Sequence, residues 1–123
     1  MEVQPNTTWK NNWGLSLIKI VRLLFQKYQQ IDVSTAKSMI NEGDVIVLDA
    51  RKSKDHHESH IEGALSIESD ALSDFIDQTD KSKTILCYCY KGISSKGSCR
   101  KLVQAGFKNV YNLKGGFEAW CKK

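Results

Sequence analysis

The sequence predicts an α/β domain built on a parallel β-sheet with helices on both faces. Three observations predict it. Short apolar runs rich in β-favouring residues alternate with segments of helical periodicity, and parallel neighbours need such crossover segments. Two of the runs, residues 45–48 and 85–88, are apolar throughout instead of at every second position, which fits strands buried on both faces. A chain of 123 residues, 41% hydrophobic and 26% charged, holds one domain with a real core and is too short for two of ordinary size.

Residues 1–12 are polar and predict an unstructured lead. From Trp13 to Tyr28 the apolar residues Leu17, Ile20, Val21, Leu24 and Tyr28 recur at helical spacing, with Lys19, Arg22 and Gln26 largely opposite, so an amphipathic helix is expected. Lys19 and Arg22 interrupt the apolar run well short of the ~20 residues that span a bilayer, and no small-residue cleavage site follows. Neither a membrane span nor a signal peptide is expected. Residues 1–30 thus read as an N-terminal extension, docked on the domain in preference to lying on a membrane surface or standing free. Residues 31–123 read as the domain.

Within the domain, Ser34 is expected to cap a helix over residues 35–42, and Gly43 to close it. The strand at 45–48 follows and ends at Asp49-Ala50-Arg51, the kind of strand end where chemistry gathers in open α/β sheets. Residues 54–59 predict a brief helical turn, and residues 65–67 a short strand. His56 and His57 read as solvated. Leu72, Phe75 and Ile76 predict a helix over 70–77 capped by Ser69 or Asp70, and residues 84–89 give the central strand. A helix over 95–104 ends at Gly106, a last strand covers 109–113, and Gly115-Gly116 turn the chain into a final helix.

Charge and cysteine usage narrow the function. Of the net +4, residues 1–30 carry +3, which leaves the domain at +1. No basic stripe and no interleaving of aromatic with basic residues suggests nucleic acid. The four cysteines, Cys87, Cys89, Cys99 and Cys121, read as reduced thiols in a cytoplasmic protein. One Cys-x-Cys inside a strand, with the histidines far upstream, does not match zinc-ligand spacing, so no metal is expected.

The chemistry concentrates in Cys89-Tyr90-Lys91-Gly92-Ile93-Ser94-Ser95, a tight loop between strand and helix. A cysteine in a strand is more often inert core than nucleophile. Here, however, Gly92 permits backbone conformations closed to other residues, and the Ser94-Ser95 pair is expected to cap the next helix. Backbone N–H groups from about Tyr90 to Ser94, converging on the Cys89 sulfur, would favour a thiolate together with the helix end and the Lys91 cation.

This loop resembles the active-site loop of the single-domain rhodaneses, the thiosulfate sulfurtransferases. Two further motifs fit. Asp49-Ala50-Arg51 followed by His60-Ile61-Glu62-Gly63-Ala64 is similar to the first rhodanese signature, with Ser59 where a glycine usually stands, and Leu113-Lys114-Gly115-Gly116 with Trp120 is similar to the closing one. The resemblance spans about residues 31–121 and implies the rhodanese-like fold, a central five-stranded parallel sheet with helices on both faces. It implies transfer of a sulfane sulfur from thiosulfate or another donor, through a Cys89 persulfide, to cyanide, a thioredoxin-like dithiol or a carrier protein. Neither cofactor nor nucleic acid is implied, and the chain is expected to act as a monomer. The loop residues Tyr90 to Ser95 would hold the persulfide, with Lys91 and Arg51 facing the anionic donor and Asp49 and His60 architectural. A rhodanese-like sulfur carrier or regulatory binding module without significant turnover is the alternative.

Two other chemistries compete. The related phosphatases need His-Cys-x5-Arg, whereas this chain has Tyr88 before the cysteine and Ser95 at the arginine position. A cysteine hydrolase needs a histidine within hydrogen-bond reach of Cys89. Cys87, two residues away in the strand, is expected to stay buried with a raised pKa and to take no part.

Overall fold

The computed structural model describes residues 28–122 together with Leu17 and Ile20. Most of the helix expected over 13–28 lies outside the described residues; Leu17 and Ile20 are helical and exposed.

Five strands form one sheet: β1 (Gln29–Ile31), β2 (Val45–Asp49), β3 (Leu65–Ser66), β4 (Thr84–Tyr88) and β5 (Asn109–Leu113). Their spatial order is β1-β5-β4-β2-β3, and every pairing is parallel. Five helices complete the domain: α1 (Val33–Glu42), α2 (Ser53–Glu58), α3 (Ala71–Gln78), α4 (Ser95–Gln104) and α5 (Gly116–Lys122). Among the described residues no helix is long and apolar enough to cross a membrane.

The central strand β4 explains the arrangement. Its side chains alternate between faces, so Ile85 and Cys87 join Leu72 of α3 and Cys99, Leu102 and Val103 of α4 in one core, completed by Leu48, Phe107 and Val110. Leu86 and Tyr88 join Val33 and Ala36 of α1, with Val47, Ile61, Ala64 and Leu113, on the other face, where Phe117 and Trp120 of α5 pack alongside. Both faces of β4 are therefore dry, which its unbroken apolar sequence requires. Its carboxyl end opens on Cys89.

Three local features differ from the sequence reading. Strand β1 is Gln29-Gln30-Ile31, too short and polar to announce itself; it forms at the sheet edge because β5 offers a free ladder, with Gln29 opposite Tyr111 and Ile31 opposite Leu113. The boundary drawn between residues 30 and 31 falls inside this strand. Helix α1 starts at Val33 and is capped by Asp32, whose Oδ1 accepts from the Thr35 N–H at 2.8 Å, not by Ser34. Asp70 precedes α3 without a side-chain capping bond, and Ser69 takes a left-handed conformation, φ 60°.

Candidate active site

Cys89 is the first residue beyond β4, and its sulfur faces the start of α4. It accepts hydrogen bonds from the N–H of Gly92 at 3.2 Å and of Ser95 at 3.3 Å. The expected convergence of donors is therefore present, though it draws on Gly92 and Ser95 and not on the whole run from Tyr90. Ser94 stands at the cap position of α4 but makes no side-chain capping bond, contrary to expectation. The sulfur instead accepts the N–H of Ser95, the first helical residue and one of the first-turn donors that have no intrahelical partner.

Burial works against a charged sulfur at Cys89. Hydrogen bonding from the Ser94 side chain and from the Ser95 and Gly92 N–H groups outweighs it, holding the thiol below its ordinary value of 9.0. Cys87 shows the opposite behaviour. Its contact with the Cys99 thiol, with full burial added, pushes it well above that value, as expected for a thiol that stays in the core.

Two glycines let the loop close this tightly. At Gly92, φ is 83°, and a Cβ would lie 2.9 Å from the Leu113 carbonyl oxygen. At Gly116, φ is 62°, and a Cβ would lie 2.5 Å from the Cys89 carbonyl oxygen and 2.6 Å from the Tyr90 carbonyl carbon. The closeness matters because α5 donates to those carbonyls: the Phe117 N–H to Cys89 O at 2.7 Å and the Glu118 N–H to Tyr90 O at 3.0 Å. With its carbonyls tied to α5, the loop keeps N–H groups turned toward the sulfur.

Asn112 fixes the loop from beneath. Fully buried on β5, it donates through Nδ2 to the Gly92 carbonyl and to Gln30 Oε1, both at 3.0 Å, and its Oδ1 accepts from the Ser95 hydroxyl at 2.6 Å. It thus grips both residues whose N–H groups hold the sulfur. The sequence reading missed it, although an asparagine within the otherwise apolar stretch Val110-Tyr111-Asn112-Leu113 was the available signal, since a polar group inside a buried strand needs partners.

A second polar cluster lies under the carboxyl end of β2. The Asp49 carboxylate, fully buried, accepts from Arg51 Nη2 at 2.8 Å, Arg51 Nε and N–H at 3.0 Å, the Tyr88 hydroxyl at 2.9 Å and His56 Nδ1 at 2.9 Å. Burial raises its pKa, but Arg51 and the other donors prevail and hold it below the usual value of 3.8. Tyr88 accepts in turn from the Ile61 N–H at 3.1 Å.

A family model for the rhodanese-like domain matches residues 32–123. The chain belongs to the rhodanese-like domain family.

Relatives agree with the assignment. A thiosulfate sulfurtransferase GlpE of Coxiella burnetii (strain RSA 331 / Henzerling II) is 40% identical over 93 residues, covering 76% of this chain and 87% of its own. The solution NMR structure of a rhodanese-like domain from Anabaena sp. superposes with a TM-score of 0.69 at 29% identity, over 76% of this chain and 73% of that one. A crystal structure from Staphylococcus saprophyticus subsp. saprophyticus gives 0.66 at 25% identity, over 75% and 92%.

Within this rhodanese-like domain the expected site residues divide into two groups. Cys89, Gly92, Ser94 and Ser95 surround the sulfur, while Tyr90, Lys91 and Ile93 form an exposed rim. Arg51 joins neither. It is buried, bonded to Asp49 and, through Nη2 at 2.6 Å, to the Ser59 carbonyl, with its guanidinium 4.2 Å from the Phe117 ring centroid. Its charge is paired with Asp49 inside the protein, and its guanidinium also lies 5.5 Å from the Tyr90 ring of the rim. His56 is corrected from solvated to buried, because the Asp49 carboxylate draws it in. His60 Nδ1 donates to the His56 carbonyl at 2.7 Å, and the two rings stack at 3.9 Å. Among the described residues no histidine hydrogen-bonds Cys89, and no three His, Cys, Asp or Glu side chains gather in a metal-binding group. Ser59 substitutes for glycine without strain, its φ of −167° being ordinary extended backbone.

Proposed function

We propose that the protein is a sulfurtransferase that moves a sulfane sulfur from thiosulfate, through a Cys89 persulfide, to a thiophilic acceptor. The observation that carries this reading is the Cys89 sulfur held by the Gly92 and Ser95 N–H groups at 3.2 and 3.3 Å, with its pKa lowered. The name of the Coxiella burnetii relative supports thiosulfate as donor.

In the first half-reaction the Cys89 thiolate attacks the outer sulfur of thiosulfate. A sulfur–sulfur bond forms to Cys89, the bond to the sulfonate sulfur breaks, and its electron pair leaves with sulfite. The negative charge now sits on the outer sulfur of the persulfide, where loop N–H groups and the Ser94 hydroxyl stabilise it as they stabilised the thiolate. In the second half-reaction cyanide or a thiolate attacks that outer sulfur, and the electron pair of the broken bond returns to Cys89. Lys91, exposed beside the loop, attracts the dianionic donor. The transfer itself moves no proton, since a thiolate attacks and a thiolate is returned, and the Asp49 cluster serves to shape the strand ends instead.

Intact-mass spectrometry after thiosulfate treatment tests this. One added sulfur is expected on the wild-type chain, removed by cyanide with thiocyanate formed, and none on Cys89→Ser. Loading with no release to any thiol or cyanide would favour the carrier or regulatory reading. An unloaded wild-type chain, properly folded, would overturn the proposal.

A further inference from the structure

We propose that the face around the Cys89 loop docks the acidic surface of a protein whose thiol accepts the persulfide sulfur. This rests on the sulfur-transfer reading and names its acceptor by chemistry.

Beside the loop lies a cavity of about 290 Å³ whose walls include Lys91, Lys96, Lys114, Gly92 and Ile93. The three lysines come from different segments, namely the loop, the first turn of α4 and the turn between β5 and α5, so their convergence is a product of the fold. No carboxylate lines the cavity, and among the described residues none of the three lysines pairs with an acid. The single acid of the adjoining α5, Glu118, faces Lys122 at 3.9 Å.

Among these cations stands a large apolar side chain that the fold leaves in water, Ile93 at 68% exposure, and on the same loop Tyr90 is 46% exposed with its ring 5.5 Å from the Arg51 guanidinium. An apolar centre within a charged rim is the anatomy of a protein-binding patch. A small anion would make no use of Ile93. Cys89 is only 2% exposed, so an acceptor thiol has to be presented to it across this rim.

Residues 81–117, which build β4, the loop, α4 and β5, contain eight lysines and arginines and no aspartate or glutamate, whereas residues 31–80 contain twelve acids against four bases. Of those eight, Lys81, Lys83 and Lys108 precede β4 and β5 and so lie at the amino ends of the strands, and Lys91, Lys96 and Lys114 are the cations gathered beside the loop. The field of these three, with no acid among them, steers an acidic partner toward the loop and sets its orientation on arrival. Once docked, the acceptor thiolate attacks the outer sulfur of the persulfide, the bond to Cys89 breaks with its electron pair remaining on Cys89, and the acceptor leaves as the persulfide.

Two cysteine peptides of equal length, one flanked by Asp and Glu and the other by Lys, test the proposal. Binding is read by fluorescence anisotropy on Cys89→Ser protein with the peptide cysteine replaced by serine. Sulfur transfer is read by mass on thiosulfate-loaded wild type. At low ionic strength the acidic peptide is expected to bind and to react at least about tenfold better than the basic one. That preference should collapse near 1 M salt, where the screening length is about 3 Å, and in Lys114→Glu and Lys96→Glu/Lys114→Glu proteins shown to be folded by circular dichroism. Equal behaviour of the two peptides, or a preference that survives the charge reversals, would overturn it. So would sedimentation showing that a second copy of the chain occupies the patch. Failure to load with charge-dependent binding retained would count against the sulfur-transfer reading alone; loading without peptide preference would count against the docking surface alone.

Discussion

At the scale of single residues, the Cys89 sulfur accepts an orphan N–H at the start of α4, and Asn112 anchors the two residues that donate to it. Removing the Asn112 amide leaves the Gly92 carbonyl and the Ser95 hydroxyl short of a partner in a dry interior, a loss of about 1–3 kcal/mol. Asn112→Ala is therefore expected to lower stability by that amount in urea unfolding. It should also raise the pH midpoint of Cys89 alkylation, because the two N–H groups that favour the thiolate lose their anchor. The alkylation is best followed in a Cys121→Ser background, since Cys121 is exposed and will react as well. A stability loss with an unmoved midpoint would make Asn112 structural only.

At the scale of elements, the site depends on two segments that carry no reactive group. The α5 start binds the loop carbonyls, and Gly116 is what lets it approach. Gly116→Ala would place a methyl within 2.5 Å of backbone at positive φ, so a cost of about 2 kcal/mol or more is expected together with slower thiosulfate loading. Unchanged loading kinetics would show that the approach is dispensable. Strand β1 is the second segment, because Gln30 accepts from Asn112 and Tyr28 packs on the core beside it. A chain starting at Tyr28 is expected to load sulfur like the full chain, whereas one starting at Asp32 should melt lower and load more slowly. Equal melting temperatures would refute this.

At the scale of the whole molecule, Asp49 joins the ends of β2 and β4 to α2 and to the segment leading into β3. Its folded pKa lies below 3.8, so the stability it contributes is fully present above that value and is lost as pH falls through the lower folded value. Asp49→Asn leaves the buried Arg51 charge without its partner, and about 3–5 kcal/mol should be lost at neutral pH. The gap between variant and wild type should narrow below about pH 3.8, where Asp49 of the unfolded chain takes up its proton before the folded carboxylate does. A gap that stays constant through this range in pH-dependent urea unfolding would contradict the assignment.

How much was legible follows from where the physics is local. The parallel α/β architecture was legible in the sequence, through apolar runs at β2 and β4 that suit doubly covered strands, and so was the tight loop with Gly92 at positive φ beside Cys89, because a strand, a glycine turn and a helix start are local requirements. The sequence by itself did not determine β1, whose polar Gln29 and Gln30 form a strand only because β5 offers hydrogen bonds. Nor did it determine the fates of Arg51, His56 and Asn112. An arginine and a histidine near a site look like solvent-facing groups until the buried Asp49 carboxylate is seen to draw both inward, and an asparagine looks like an edge residue until β5 is seen to lie beneath the loop. Polar side chains take their roles from partners distant in sequence, since a buried hydrogen bond is worth having only where the fold supplies its other half. Only the tertiary structure supplied those partners.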